Sequence, residues 1–286
     1  MRKSEVPPLS DLMKTTKGFI GVVLMAFLVF VGLGADLISP FDPLAQDLRA
    51  RLTEPGIANA RDGGTYLLGT DPLGRDVLSR IIHGARISLL VGITAVLISG
   101  TVGTLLGLLS GFYRGWLDAV VMRIVDMQLA MPLIVFAIAW MGFFGAGLLS
   151  VVLVIGIWGW VQYARFTRSF VLSLKETEYV LASRALGAST PTIIFQHIAP
   201  NLIGPVIVMA TLQMGHAVLL ESTLSFLGVG VNPPTPTWGG MVADGRNYMD
   251  TSWWTVVLPG LAITMFVLGA NFLGDALRDV LDPKSK

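Results

Sequence analysis

Cysteine is missing altogether from the 286 residues, and charged side chains make up only 14% of them. The first absence excludes disulfides and thiolate-based metal or redox chemistry. The second excludes an ordinary soluble domain, in which about 25% of residues are charged. No Gly-Lys pair occurs, so the phosphate loop Gly-x-x-x-x-Gly-Lys-Ser/Thr is absent. Gly-x-Gly triplets at 32–34, 145–147 and 228–230 lack the third glycine of a dinucleotide fingerprint, and the chain is assigned no cofactor site and no catalytic residue. The three histidines, His83, His197 and His216, fall outside, inside and within the membrane on the topology below, which excludes a shared metal site. Basic and acidic residues number 20 and 19 and are scattered, so there is no electrostatic footprint for nucleic acid.

What remains is apolar: hydrophobic residues reach 53% and mean hydropathy is +0.70. Crossing a hydrocarbon core as a helix takes about 20 such residues. Six segments qualify: Gly18–Ile38, Ile87–Phe112, Ala119–Phe144, Leu148–Phe166, Leu202–Leu220 and Thr255–Leu273. Their runs are continuous, not alternating, which predicts an all-α membrane protein and not a barrel. The first span is longer than a signal-peptide core and others follow it, so it is read as a retained anchor.

Orientation follows from Lys and Arg near the span ends. With the N-terminus inside, the inner segments hold Arg2, Lys3, Lys14, Lys17, Arg114, Arg123, Arg165, Arg168, Lys175, Arg184, Arg278, Lys284 and Lys286. The outer segments hold Arg49, Arg51, Arg61, Arg75, Arg80, Arg86 and Arg246, mostly in one loop whose acids (Asp42, Asp47, Glu54, Asp62, Asp71 and Asp76) offset them. Both termini are therefore expected in the cytoplasm. The chain divides into an N-terminal segment with the first span (1–38), an external stretch (39–86), a five-helix core (87–275) containing a cytoplasmic loop (173–200), and a tail (276–286).

That loop carries the most informative residues, Glu178 to Pro200. A helix from Tyr179 gathers Tyr179, Ala182 and Leu186 on one face, and Gly187 stops it because only glycine takes the left-handed cap freely. Thr190 before Pro191 reads as the start of a second short helix. Too short and polar to span, the pair is expected to lie on the membrane surface as a knob that a separate soluble motor can push. Outside, Leu68-Gly-Thr-Asp-Pro-Leu-Gly-Arg-Asp-Val-Leu-Ser-Arg80 leads into the second span, with Asp71 and Pro72 read as N-cap and first-turn proline. This stretch is either a surface that meets a substrate-delivery protein or an amphipathic lead-in helix with solvated charges. A second outer motif runs from Leu224 through Asn232-Pro-Pro-Thr-Pro-Thr-Trp to Gly240.

The sequence Leu181-Ala182-Ser183, then Gly187, then Pro200, resembles the coupling loop of ATP-binding-cassette importer permeases, with leucine where the family has Glu before its Ala-Ala pair. With the two outer motifs, the chain from about Leu37 to Asp282 resembles the C-type permease subunit of dipeptide and oligopeptide importers. The resemblance implies a type I (MetI-like) permease fold in the bacterial cytoplasmic membrane, moving short peptides by alternating access. It implies a B-type permease partner, two ATPases that hold ATP and Mg, and an external solute-binding protein. Nickel chelates, glutathione or other small peptide-like solutes are the alternative substrates. Tyr179, Ala182, Ser183, Arg184, Leu186, Gly187 and Pro200 would then be the ATPase-coupling residues.

Within the membrane, Met209, Gln213, His216 and Leu220 share one face of span five. They form either a pathway wall or a contact made by interhelical hydrogen bonds, because polar groups at that depth turn to a cavity or another helix. Glu221 lies off this face; it either gates the pathway or caps an outer helix beginning near Ser222. In span two, Ala95, Ser99, Gly103, Gly107 and Gly111 form a small-residue stripe, for fixed packing or for sliding against the partner permease. Arg123 and Asp126 are expected to pair locally, with Asp118 before them, and Pro132 is expected to kink span three. Trp158, Trp160, Trp253 and Trp254 include interfacial anchors.

Overall fold

A computed structural model of the chain describes residues 12–13, 15–59 and 63–281. Both termini, with Arg2, Lys3, Lys14, Lys284 and Lys286, lie outside the described residues, as do Arg61 and Asp62. Nine helices are used below: α1 (Thr16–Leu33), α2 (Val77–Tyr113), α3 (Gly115–Ala130), α4 (Leu133–Phe144), α5 (Leu148–Leu174), α6 (Glu178–Ala185), α7 (Ala199–Phe226), α8 (Trp238–Gly245) and α9 (Trp254–Leu281). By length and apolar composition five can cross a membrane, or six if the bent pair α3–α4 counts as one span.

Span three is where the expectation needed most correction. Pro132 does not merely kink it: the helix stops at Ala130, restarts at Leu133, and the two halves meet at 92°. A proline has no N–H for the preceding turn, and it drives the residue before it out of the helical region. Met131 accordingly adopts ψ 136°. At about 1.5 Å per residue neither half alone reaches across a 30 Å core.

Helices α2, α5, α7 and α9 exceed their expected limits, whereas α1 ends at Leu33, short of the expected Ile38. Apolar runs locate the lipid-crossing portion, but helices continue wherever backbone bonding and packing allow. Helix α2 has 37 residues and is therefore about 55 Å long, so its two ends stand on opposite sides of a bilayer. From Ser99 to Gly111 its small-residue stripe packs inside the subunit against α5. A Cβ at Gly103 would sit 2.3 Å from the Trp160 carbonyl oxygen, and one at Gly107 2.5 Å from that of Ala164. Ala95 and Ser99 are buried along the same stripe. The stripe is fixed packing, since glycine lets the two backbones touch where lipid gives no hydrophobic drive.

At the Val77 end of α2, the end expected from the sequence to be the outer one, a compact layer forms. A two-residue hairpin pairs Ile57 with Tyr66 and Ala58 with Thr65. The chain then turns at Gly69 and Gly74, both with positive φ. A Cβ at Gly74 would meet the Asp47 carbonyl at 1.8 Å, so glycine is required twice over. Asp76, not Asp71, caps α2: its carboxylate accepts from the Ser79 N–H at 2.7 Å and the Ser79 hydroxyl at 2.6 Å. Burial holds the Asp76 carboxyl above the usual carboxylate range, against the pull of those bonds. Asp71 instead accepts from the Leu73 and Arg75 N–H groups and pairs with the Arg75 guanidinium at 2.6 Å. Arg75 reaches on to Asp244 in α8 at 3.0 Å, and Arg80, buried beside it, approaches Asp71 at 3.5 Å. These charges are neither a solvated lead-in helix nor free surface; they bolt the outer loop to α2 and α8.

Trp254 belongs to this layer as well. It is buried and donates from Nε1 to the Thr70 carbonyl, so it is a structural bolt, while Trp253 beside it is exposed. Trp160 is likewise buried and donates to Gln128 Oε1 at 2.9 Å, tying α5 to α3. Among the described residues Arg123 and Asp126 form no ion pair; Asp118 takes Arg168 of α5 as its partner, at 2.5 and 2.6 Å. The guanidinium fork matches both carboxylate oxygens, so two parallel N–H bonds join α5 to α3 there.

Candidate functional site

The elbow from Lys175 to Ile198 sits at the Tyr113 end of α2, opposite the outer layer: Lys175 Nζ donates to the Phe112 carbonyl at 3.2 Å. Helix α6 covers Glu178–Ala185 and ends as a left-handed glycine cap. Gly187 has φ +82°, its N–H donates to the Arg184 carbonyl, and the Ala188 N–H donates back to Ser183, both at 3.1 Å. That pair of bonds satisfies carbonyls the helix end would leave bare.

Tyr179, Ala182, Arg184 and Leu186 are all exposed, Leu186 at 88%. The underside is different. Val180 is buried in an apolar cluster with Leu108, Val171, Ile193, Ile194, Ile198 and Leu202, which joins the elbow to α2, α5 and α7. Apolar residues exposed beyond the lipid-crossing helices, on a base held this firmly, form a knob suited to another protein.

The second elbow helix is not separate. Ser189, one residue before the expected cap, accepts from the Thr192 N–H, and Pro191 lies in the first turn. From there the chain runs as one helical rod from Thr190 to Phe226, through a π-helical turn at Ile193–Ile198. A wider turn ahead of Pro200 lets the rod pass a residue that lacks an N–H. Pro200 is thus inside the rod and not a helix boundary.

His197, in the π turn, ties the two arms together. Its Nε2 lies 3.1 Å from Ser183 Oγ, and its ring stands edge-on to Tyr179 with centroids 6.2 Å apart. Its carbonyl accepts from Asn201 Nδ2 at 2.6 Å. None of the coupling assignments drawn from the sequence includes His197, because a lone histidine on an apolar rod carries no pattern. We expect His197→Ala to loosen α6 from the rod by about 1–2 kcal/mol, the scale of one hydrogen bond plus an aromatic contact. Faster amide hydrogen exchange in 178–186, with unchanged exchange in α2, is the measurement that checks it.

Higher up the same rod, Gln213, His216 and Leu220 line a small cleft of about 20 Å³, together with Ser99 of α2 and Ile155, Trp158 and Gln162 of α5. Met209 is half-buried and does not line it. Glu221 is also outside the cleft, with no exposed surface: Ser225 Oγ donates to it at 2.7 Å and Ser222 Oγ at 3.3 Å. No outer helix starts at Ser222, since α7 continues to Phe226. Instead, Gly230 and Gly239 fold the following loop onto Ser225 and Ser222, and that long-range closure buries the carboxyl. Gln162 was missed in the sequence because span four was read for its apolar run alone. A single amide in that run was the available signal.

The residues from 103 to 286 match the family model described as binding-protein-dependent transport system inner membrane component. The chain belongs to this family. Curated relatives match over nearly its whole length. The di/tripeptide transport system permease protein DppC of Pseudomonas aeruginosa is 46% identical, covering 93% of this chain and 88% of the relative. The dipeptide transport system permease protein DppC of Haemophilus influenzae is 40% identical over 93% and 90%. The glutathione transport system permease protein GsiD of Pectobacterium atrosepticum is 39% identical over 92% and 86%. As an inner membrane component of such a system, the chain is a multi-pass permease. The matched stretch contains the elbow and the α5 and α7 walls of the cleft, but not Ser99 of α2.

Proposed function

We propose that this chain is one permease half of an ATP-driven importer of dipeptides and short oligopeptides, with both termini and the elbow on the cytoplasmic side. One observation carries this reading. The exposed knob at Tyr179, Ala182 and Leu186 is locked to a helical rod that also carries Gln213 and His216 of the cleft. A push on the knob therefore moves a cleft wall as a lever. The basic residues Arg114, Arg168, Lys175 and Arg184 gather at this end, which supports an inward-facing elbow.

Two partner ATPases hold ATP and Mg; a second, B-type permease completes the pathway, and an external solute-binding protein delivers peptide. ATP binding draws the ATPases together and swings the rod so that the cleft opens outward; hydrolysis resets it. Names of the similar permeases support peptide as cargo. The resemblance to a glutathione permease supports a second reading, in which the cargo is that γ-linked tripeptide.

Purification of the tagged chain from its own membranes tests the assembly: a second permease and two ATPases are expected to co-purify. Reconstituted with its binding protein, the complex is expected to take up labelled dipeptide in preference to glutathione. A chain that purifies alone and passes solute without ATP would defeat the reading.

A further inference from the structure

Two primary amides from different helices meet at the cleft. Gln213 Nε2 of α7 donates to Gln162 Oε1 of α5, and both residues line the same open space. A primary amide has two N–H donors and a carbonyl with two lone pairs. The bridge uses one donor of Gln213 and one lone pair of Gln162. Gln162 keeps both N–H groups, and Gln213 keeps its carbonyl and one N–H. The bridge is not part of a sealed polar core: Gln162 is exposed and Gln213 half-buried, at a depth where polar groups facing lipid are costly.

The bond itself is chemically a peptide–peptide hydrogen bond. A peptide group entering between the two glutamines can donate its N–H to one side-chain carbonyl and accept from the other side-chain N–H. One amide–amide bond is exchanged for two of the same kind, with no charge buried and no side chain read. Such an exchange changes hydrogen-bond free energy little, so cargo is held without being trapped. The walls fit that role. Ile155, Trp158, Ala217 and Leu220 offer unselective apolar contact, and Ser99 and Gly159 among the lining residues take up little room.

We propose that Gln162 and Gln213 form a station that reads the backbone of the passing peptide, closed on itself by their amide bridge when empty. This rests on the peptide-importer reading above. The ligand class is a secondary amide with a free N–H; an N-methylated peptide bond would satisfy only half of the station.

The test uses the complete importer in proteoliposomes with ATP and its binding protein. Cargo is alanyl-alanine or its analogue methylated at the peptide nitrogen, each at saturating loaded binding protein. The binding protein's own preference is then the same in every arm. Wild type is expected to import the methylated analogue about tenfold more slowly, the effect of one peptide hydrogen bond left unmade. Gln213→Met and the double variant Gln162→Met/Gln213→Met keep length and packing but remove the amides. They are expected to slow alanyl-alanine about tenfold and to bring the two cargoes within about twofold of each other. Methionine variants that keep the wild-type cargo ratio overturn the station, whatever their speed. Should they also melt at a lower temperature, the bridge is interhelical glue. A wild-type complex that hydrolyses ATP but imports neither cargo removes the peptide reading itself, and the station falls with it.

Discussion

Gly187→Val is expected to cut peptide uptake at least about tenfold while ATP hydrolysis continues, so that the ATP consumed per peptide rises by the same factor. The expected cost is one of backbone conformation. A side chain at 187 would meet nothing within 4 Å, yet φ there is +82°. A β-branched residue in that region costs about 1–3 kcal/mol, enough to unwind the last turn of α6 and release its two capping bonds. The knob would then stay exposed but lose its fixed attitude to the rod. Asparagine tolerates the left-handed cap, so Gly187→Asn is expected to stay near wild type, with alanine between. The measurement is the ratio of phosphate released to peptide imported in proteoliposomes. A normal ratio for valine would remove the elbow from the coupling path.

Gly103→Val should do greater damage, and of another kind. The new Cβ would stand 2.3 Å from the Trp160 carbonyl oxygen and 2.5 Å from Tyr163 Cβ, and no rotamer relieves a clash with backbone. Helices α2 and α5 must separate along the stripe, losing the close contact that holds them. We expect a loss of about 3 kcal/mol or more, at the upper end of overpacking, and a subunit that fails to accumulate in the membrane. Gly100→Ala is the control: its Cβ would lie 3.5 Å from the Tyr163 ring, an ordinary contact. Immunoblots of membranes and melting in detergent separate the two. Equal accumulation of both variants would mean that the stripe is not the seam described.

The residues legible in the sequence were those whose chemistry is local. Gly187 could be placed because a left-handed cap is a property of one residue, and the stripe at Ala95–Gly111 because small residues recur every fourth position. The cap at Ser189 was misplaced by one residue because Thr190 carries the same hydroxyl. The helix start expected at Asp71 falls instead at Asp76. The choice between them depends on Gly74 packing against Asp47 and on Arg75 reaching Asp244, contacts that no local pattern contains. Glu221 was misplaced for the same reason, since a loop returning from Gly230 and Gly239 buries it. The unbroken rod was hidden because Thr190-Pro191 read as the start of a separate short helix and the fifth span was begun only at Leu202, and a π turn leaves no mark in residue type.

That π turn sets the phase between knob and cleft. Each residue of an α-helix rotates its successor by about 100°, so the residue count from 193 to 198 fixes which way the knob points relative to Gln213. On the proposed reading, coupling is expected to tolerate changes of side chain along this stretch better than changes of length. A one-residue deletion that tightened the turn to regular α-helix would leave every named contact group present, yet aim the lever at the wrong neighbour.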